Sequence, residues 1–132
     1  MFLLDANACI TILNDTSAAL IARLRSQHPS RIRLSSVVKA ELLYGARESA
    51  RPASNLRLLE HFFAPFQSLP FDDACSEQYA LIHADLERTG KPIGHYDMMI
   101  AATALANGLT LVTHNAAEFS RVAGLKWEDW EG

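Results

Sequence analysis

The sequence has no long apolar run, almost no cysteine and no excess of basic charge, and each absence removes a class of function. No apolar stretch approaches the ~20 residues that carry a helix across a bilayer. The opening Met1-Phe2-Leu3-Leu4-Asp5 has neither a basic lead-in nor a small-residue cleavage site, so a cytoplasmic protein without signal peptide or membrane association is expected. The only two cysteines, Cys9 and Cys75, lie in apolar helical patterns without metal-ligand spacing. They read as buried free thiols, which suits a reducing compartment. The five histidines form no HxxxH or comparable pair, which counts against zinc. A formal net charge of −3 argues against a general nucleic-acid coat. Repeats, low-complexity tracts and interdomain linkers are absent as well, so residues 1–132 are expected to form one domain.

What is present is globular in character, with 49% hydrophobic and 20% charged residues. Charge divides unevenly: up to Phe66 eight Lys/Arg face five acids, and from Gln67 onward four face ten. The first half is therefore locally basic and able to touch phosphates, with Arg23, Arg25, Arg47 and Arg51 the nearest guesses.

Phe2-Leu3-Leu4 reads as a short buried strand ending at Asp5. A helix over Asn7–Leu13 follows, and Asn14 to Ser17 breaks and recaps the chain into a helix reaching Gln27. Arg31 to Leu34 alternates as a strand does, and Ser35-Ser36 caps a helix of about Val37–Ser49. Pro52 opens another, with Leu56, Leu59, Phe62 and Phe63 as its apolar side, ended by Pro65. Gln67–Pro70 reads as a strand, Asp72-Asp73 cap a helix to Thr89 with Gly90 as its stop, a helix runs over about Tyr96–Asn107, and Thr110–Thr113 is the last strand. Strands alternating with helices predict an α/β fold around a mainly parallel sheet. In such sheets ligands gather at the carboxyl ends of the strands, where Asp5 stands.

Most acids need no function. Glu48, Glu60, Asp85, Glu87, Glu128 and Glu131 read as residues of solvated faces or caps, and Asp85 has Arg88 as a partner at i+3. Three resist that treatment. Glu41 has Val37, Val38, Tyr44 and Gly45 as same-face neighbours, so its carboxylate projects from the apolar side of its helix. Asp97 is the one charge in the nearly all-apolar run from Met98 to Ala106 and its lead-in. Asp5 ends an apolar strand. Each acid taken alone is open to satisfaction by backbone amides or an arginine. Neither Glu41 nor Asp97 has a Lys or Arg at i±3 or i±4, and a shared divalent cation is the economical partner for all three. All-oxygen ligation suits Mg²⁺ or Mn²⁺.

Asp5-Ala6-Asn7, Ser35-Ser36-Val37 leading to Glu41-Leu42-x-Tyr44-Gly45, Ile93-Gly94-x-x-Asp97-x-x-Ile100-Ala101-Ala102, and Leu111-Val112-Thr113-x-Asn115 before Glu118-Phe119 together resemble the PIN-domain family, and within it VapC-type toxins. The resemblance spans the whole chain in the family's order. It implies a three-layer α/β/α sandwich with a mainly parallel central sheet and a Mg²⁺-dependent endoribonuclease activity. Asp5, Glu41 and Asp97 fall on the family's metal-binding acids, and Glu118 stands where many relatives have Asp. Asn7, Thr113 and Asn115 take supporting places, Asn7 beside the first acid. His95 occupies a place usually held by another residue, and helix capping is its expected role. The Glu41-to-Ala46 run and the terminal Glu128-Asp129-Trp130 are similar to toxins that cut initiator tRNA in the anticodon region. A VapB-like antitoxin and a homodimer are the partners that the resemblance implies. Trp127 and Trp130 are expected to pack the C-terminal tail.

Two other readings compete. A metal-dependent phosphatase also places an Asp after its first strand, but it wants a second carboxylate two residues on, where this chain has Asn7. A catalytically silent partner-binding module is the non-enzymatic alternative, against which retention of all three core acids argues.

Overall fold

A computed structural model describes residues 1–132. Five strands, β1 (Phe2–Leu4), β2 (Ile32–Ser35), β3 (Gln67–Leu69), β4 (Thr110–Val112) and β5 (Trp127–Glu128), form one sheet in the order β3-β2-β1-β4-β5. Every pairing is parallel, with Leu4 opposite Val112 and Leu3 opposite Arg33. Leu3, Leu4, Ile32, Leu34, Leu111 and Val112 are all buried, as expected of strands covered on both faces. The helices are α1 (Ala6–Asn14), α2 (Ala18–Arg25), α3 (Ser36–Arg47), α4 (Pro52–Phe63), α5 (Asp73–Thr89), α6 (His95–Ala106) and the short α7 (Ala116–Phe119). The chain steps outward from β1 to β2 and β3, then returns to β4 and β5 on the far side of β1. Right-handed crossovers therefore lay α1–α4 on one face and α5–α7 on the other, giving three layers. That reversal makes the gap between β1 and β4 a topological switch point, where parallel sheets bind ligands.

The local signals account for the element ends. Ser17 Oγ accepts from the Leu20 amide at 3.2 Å, Ser35 Oγ from Val38 at 3.0 Å and Asp72 Oδ1 from Cys75 at 3.1 Å, each supplying an orphan helix-start donor with a partner. Pro52 sits in the first turn of α4, and Gly90 closes α5 at φ 69°. Asp15, at φ 55°, closes α1 in the same left-handed region.

Differences from the sequence reading are confined to ends and edges. The helices begin or stop one or two residues from their expected limits, and α3 ends at Arg47 rather than Ser49. Of the expected apolar side of α4 only Leu59 is fully buried, while Leu56, Phe62 and Phe63 pack against the core half-buried. The sequence reading stops at β4 and misses α7 and β5, because four-residue and two-residue elements carry no period. Gly94, not His95, caps α6, and His95 Nδ1 instead meets the Tyr79 hydroxyl at 2.8 Å. Cys9 and Cys75 are buried and free. Trp130 is buried with its ring 5.0 Å from Phe2, and Arg23 stacks over it. No helix is long and apolar enough to cross a membrane.

Candidate metal centre

Asp5 leaves β1 in extended backbone and caps α1, its Oδ1 accepting the Ala8 amide at 2.7 Å. Its own amide donates to Val112 O at 3.1 Å, which ties it to the end of β4. The next residue there, Thr113, lowers the Asp5 pKa through its side chain and accepts the Asn115 amide at 2.9 Å. Asp5 is 3% exposed, and burial pushes its pKa up against the lowering effect of the Thr113 and Ala8 hydrogen bonds. Two donors hold the carboxylate in place without neutralising it.

Glu41 approaches from α3, one layer away. Its Oε1 is buried and has no hydrogen-bond partner, a state that costs about 1–3 kcal/mol for an ordinary polar atom and more for a charged one. Burial first, then the charge on Asp5, raises its pKa. Asp97 arrives from the opposite layer in the first turn of α6 and is half-buried. Its pKa is raised to about 7, by burial first, then by a hydrogen bond to the Glu118 carboxyl and the charges of Glu118, Asp5 and Glu41. Glu118 is carried there by α7, which buried Phe119 pins to the core. Asp5, Glu41, Asp97 and Glu118 thus lie within electrostatic reach of one another at the carboxyl end of β1, from both helical layers, while the ligand atoms that come within 4.8 Å of one another are those of His114, Asp129 and Glu131.

No Lys or Arg is among the groups that shift these acids. Neighbouring carboxyls favour sharing a proton or a cation, which is the direction in which Asp97 is shifted. The orphaned Glu41 Oε1 points to the same need. A donor set of carboxylate oxygens with no thiolate or imidazole fits a hard divalent cation.

The supporting residues divide. Thr113 adjoins Asp5 at the end of β4 and lowers its pKa. Asn115 contributes its backbone amide, and Asn7 lies exposed on α1 with no hydrogen bond to Asp5; both line a neighbouring hollow of about 410 Å³. Sequence reasoning missed a second group beside that hollow. His114 Nδ1 lies 2.9 Å from Asp129 Oδ2 and 3.9 Å from Glu131 Oε2. Glu131, expected on a solvated face or cap, has a side chain only 22% exposed, and its charge raises the pKa of Asp5. Glu128 stays on the solvated surface, its side chain 43% exposed, where its Oε1 accepts from both Arg23 Nη2 at 3.1 Å and Trp130 Nε1 at 3.0 Å. Arg23 is thereby committed to the tail, whereas Arg25, Arg47 and Arg51 are exposed. Asp85 does pair with Arg88, as its spacing implies.

The model of the PIN domain matches residues 2–125. The chain belongs to the PIN-domain family. Among PIN proteins it is 40% identical to the tRNA(fMet)-specific endonuclease VapC of Shigella flexneri over 98% of this chain and 97% of that one. It is 34% identical to Ribonuclease VapC2 of Haemophilus influenzae over 98% and 97%. A solved structure of DNA-bound VapBC from Salmonella typhimurium superposes with a TM-score of 0.92 at 38% identity, covering 98% of this chain and 97% of that one. The three-layer sandwich is thus the PIN fold, within its VapC group.

Proposed function

We propose that this PIN protein is the toxin of a VapBC-like pair: a divalent-metal-dependent endoribonuclease that hydrolyses RNA phosphodiester bonds. Mg²⁺ is the assigned ion, with Mn²⁺ able to replace it, and initiator tRNA cut in the anticodon region is the assigned substrate. The reading treats residues 1–132 as one nuclease domain. The observation that carries it is the convergence of four carboxylates at the β1–β4 switch point, with the buried Glu41 Oε1 unpartnered. The identity to VapC ribonucleases over nearly the full chain supports the same conclusion.

In this reading Asp5, Glu41, Asp97 and Glu118 hold the cation. When bound, it supplies a more acidic water and a positive charge against the developing charge on the phosphate. The residues of the chain do the positioning. Ala8 and Thr113 fix the orientation of Asp5, while α3 and α6 bring Glu41 and Asp97 in from opposite layers. Exposed Arg25, Arg47 and Arg51 are the cations available to RNA phosphates away from the reacting linkage.

The antitoxin surface belongs to the same reading. A groove of about 420 Å³ is lined by Ile10, Leu13, Leu42 and Leu58 and opens onto Glu41. Ile10 and Leu58 are 43% and 59% exposed, and a segment of a VapB-like antitoxin lying there would cover both apolar groups and the carboxylates. Phe62 and Phe63 on α4 pack on the core instead, with Lys39 over Phe63. A homodimer completes the reading, and light scattering of the purified chain checks it. The phosphatase alternative gains nothing from exposed Asn7.

The test is to incubate the purified chain with initiator tRNA in Mg²⁺ and sequence the new RNA ends. A single cut in the anticodon region is expected, lost in EDTA and lost in a folded Asp5→Asn/Glu41→Gln/Asp97→Asn variant. Full cleavage by that variant in EDTA would overturn the proposal.

A further inference from the structure

The acids of the metal centre are committed to one another and to a cation, so a group beside that centre is a candidate to hand a proton to the ribose oxygen that leaves when the phosphodiester breaks. His114 is such a group. It follows Thr113, the residue that adjoins Asp5, and His114 and Asp5 each shift the other's titration. Of the two charged neighbours that shift Asp5, Glu131 and His114, only His114 favours the carboxylate.

The imidazole is held from one side. Its Nδ1 faces Asp129 Oδ2 at 2.9 Å, with Glu131 Oε2 at 3.9 Å, which leaves Nε2 for a ligand. The ring is exposed and borders the 410 Å³ hollow along with Asn7, Asn115 and Glu131. Asp129 is not a loose surface acid. Its neighbours Glu128 and Trp130 are locked by the Arg23 contact, the Trp130 Nε1 hydrogen bond and burial of the indole, and Thr113 N donates to Glu128 O at 3.0 Å. Asp129 Oδ1 further accepts the Glu131 amide at 2.9 Å. Strand β5 thus delivers a carboxylate to the imidazole in a fixed pose, the arrangement by which an acid orients a histidine and stabilises its protonated form.

We propose that His114 is the proton donor to the leaving oxygen in RNA cleavage, with Asp129 as its positioning residue. The inference rests on the ribonuclease reading. A water oxygen bonds to phosphorus and its proton passes to solvent. The bond from phosphorus to the bridging ribose oxygen breaks, and its electron pair stays on that oxygen, which takes the proton from Nε2. The neutral imidazole is recharged from solvent. The groups facing His114 are Asp129 and Glu131 from the segment at and after β5 and Asp5 from the end of β1. All three favour its charged form and push its pKa above the ordinary imidazole value, the direction a proton donor needs.

The test compares wild type, His114→Gln, His114→Ala, Asp129→Asn and Asp97→Asn, using the full chain in Mg²⁺. The probe is an anticodon stem-loop RNA, first as such and then with sulfur replacing the bridging oxygen that leaves at the mapped cut. Sulfur departs as a thiolate without a proton. Both His114 variants should lose about 10²-fold or more in kcat on the oxygen linkage, the range for a lost general acid, with KM little changed. On the sulfur linkage they should recover to near the wild-type rate. Asp129→Asn should lose less and move the alkaline fall of the rate to lower pH. Wild-type rates for both His114 variants on oxygen, with Asp97→Asn inactive, would overturn the inference and leave the ribonuclease reading standing. An equal loss on sulfur and oxygen would overturn it too. If wild type cuts neither RNA, both readings fall together.

Discussion

Two sets of carboxylates share this molecule and differ in what surrounds them. On the helix surfaces and the tail several acids have partners: Asp72 caps α5, Asp85 meets Arg88, Glu87 meets His83, and Glu128 meets Arg23 and Trp130. Where such partners move a pKa they move it down, as the Cys75 amide does for Asp72 and the Glu131 amide for Asp129. At the carboxyl end of β1 the direction reverses. Asp5, Glu41 and Asp97 are all pushed up, each by burial first and then by fellow acids among the further causes. A protein of marginal stability does not keep such repulsion without a use for it. The contrast in pKa direction separates the acids that stabilise local structure from those proposed to hold a cation.

The most severe way to break the contrast is to neutralise the acids whose pKa values are raised. Asp5→Asn, Glu41→Gln or Asp97→Asn should each lower RNA cleavage by about 10²–10³-fold, read on gels. Circular dichroism should show the cation-free fold intact, with a melting temperature equal to or above wild type, because a repulsive charge is gone. A drop of several degrees would mean that the acid had been structural.

Titration sharpens the same contrast. The pKa of Asp97 is raised from 3.8 to about 7, so the folded chain binds a proton more tightly than the unfolded chain does. Its stabilising contribution is therefore fully present below pH 3.8 and is lost as pH rises through about 7. Asp5 and Glu41 act in the same direction, whereas Asp72 and Asp129 work oppositely and lose their contribution as pH falls through their lowered values. Urea melts of cation-free protein should show stability falling between pH 5 and pH 7.5, and Asp97→Asn should flatten that fall. An unchanged slope in the variant would contradict the assignment.

Smaller effects belong to the partnered set. Asp72→Ala should cost about 1 kcal/mol through the lost cap, with RNA cleavage unaffected. Arg88→Ala should cost less than about 0.5 kcal/mol, since its pair with Asp85 is exposed. Loss of cleavage in either variant would blur the division.

The same division marks what was legible in the sequence. Glu41 and Asp97 stand out because helical periodicity places each on an apolar face, a local fact that needs no tertiary information. Asp5 follows from an apolar strand with an acid at its end. Glu118 was not legible from its neighbours, because α7 is a single turn, and it entered only through resemblance. The alternation of strands and helices gave the α/β class, but the order β3-β2-β1-β4-β5 rests on contacts between residues far apart in the chain, such as Leu4 with Val112. His114, Asp129 and Glu131 were hidden for that reason. They meet only because the two residues of β5 pair with β4, and neither periodicity nor spacing announces that pairing.

The most direct measurement is the melting temperature of the cation-free chain at pH 7.5 as Mn²⁺ or Mg²⁺ is added, for wild type and for Asp97→Asn. A ligand that binds only the folded state at one hundred times its Kd adds about 2.7 kcal/mol. Wild type should therefore melt several degrees higher at saturation, and Asp97→Asn should gain little. Equal gains in the two proteins, or none in wild type, would contradict a shared cation at the four carboxylates.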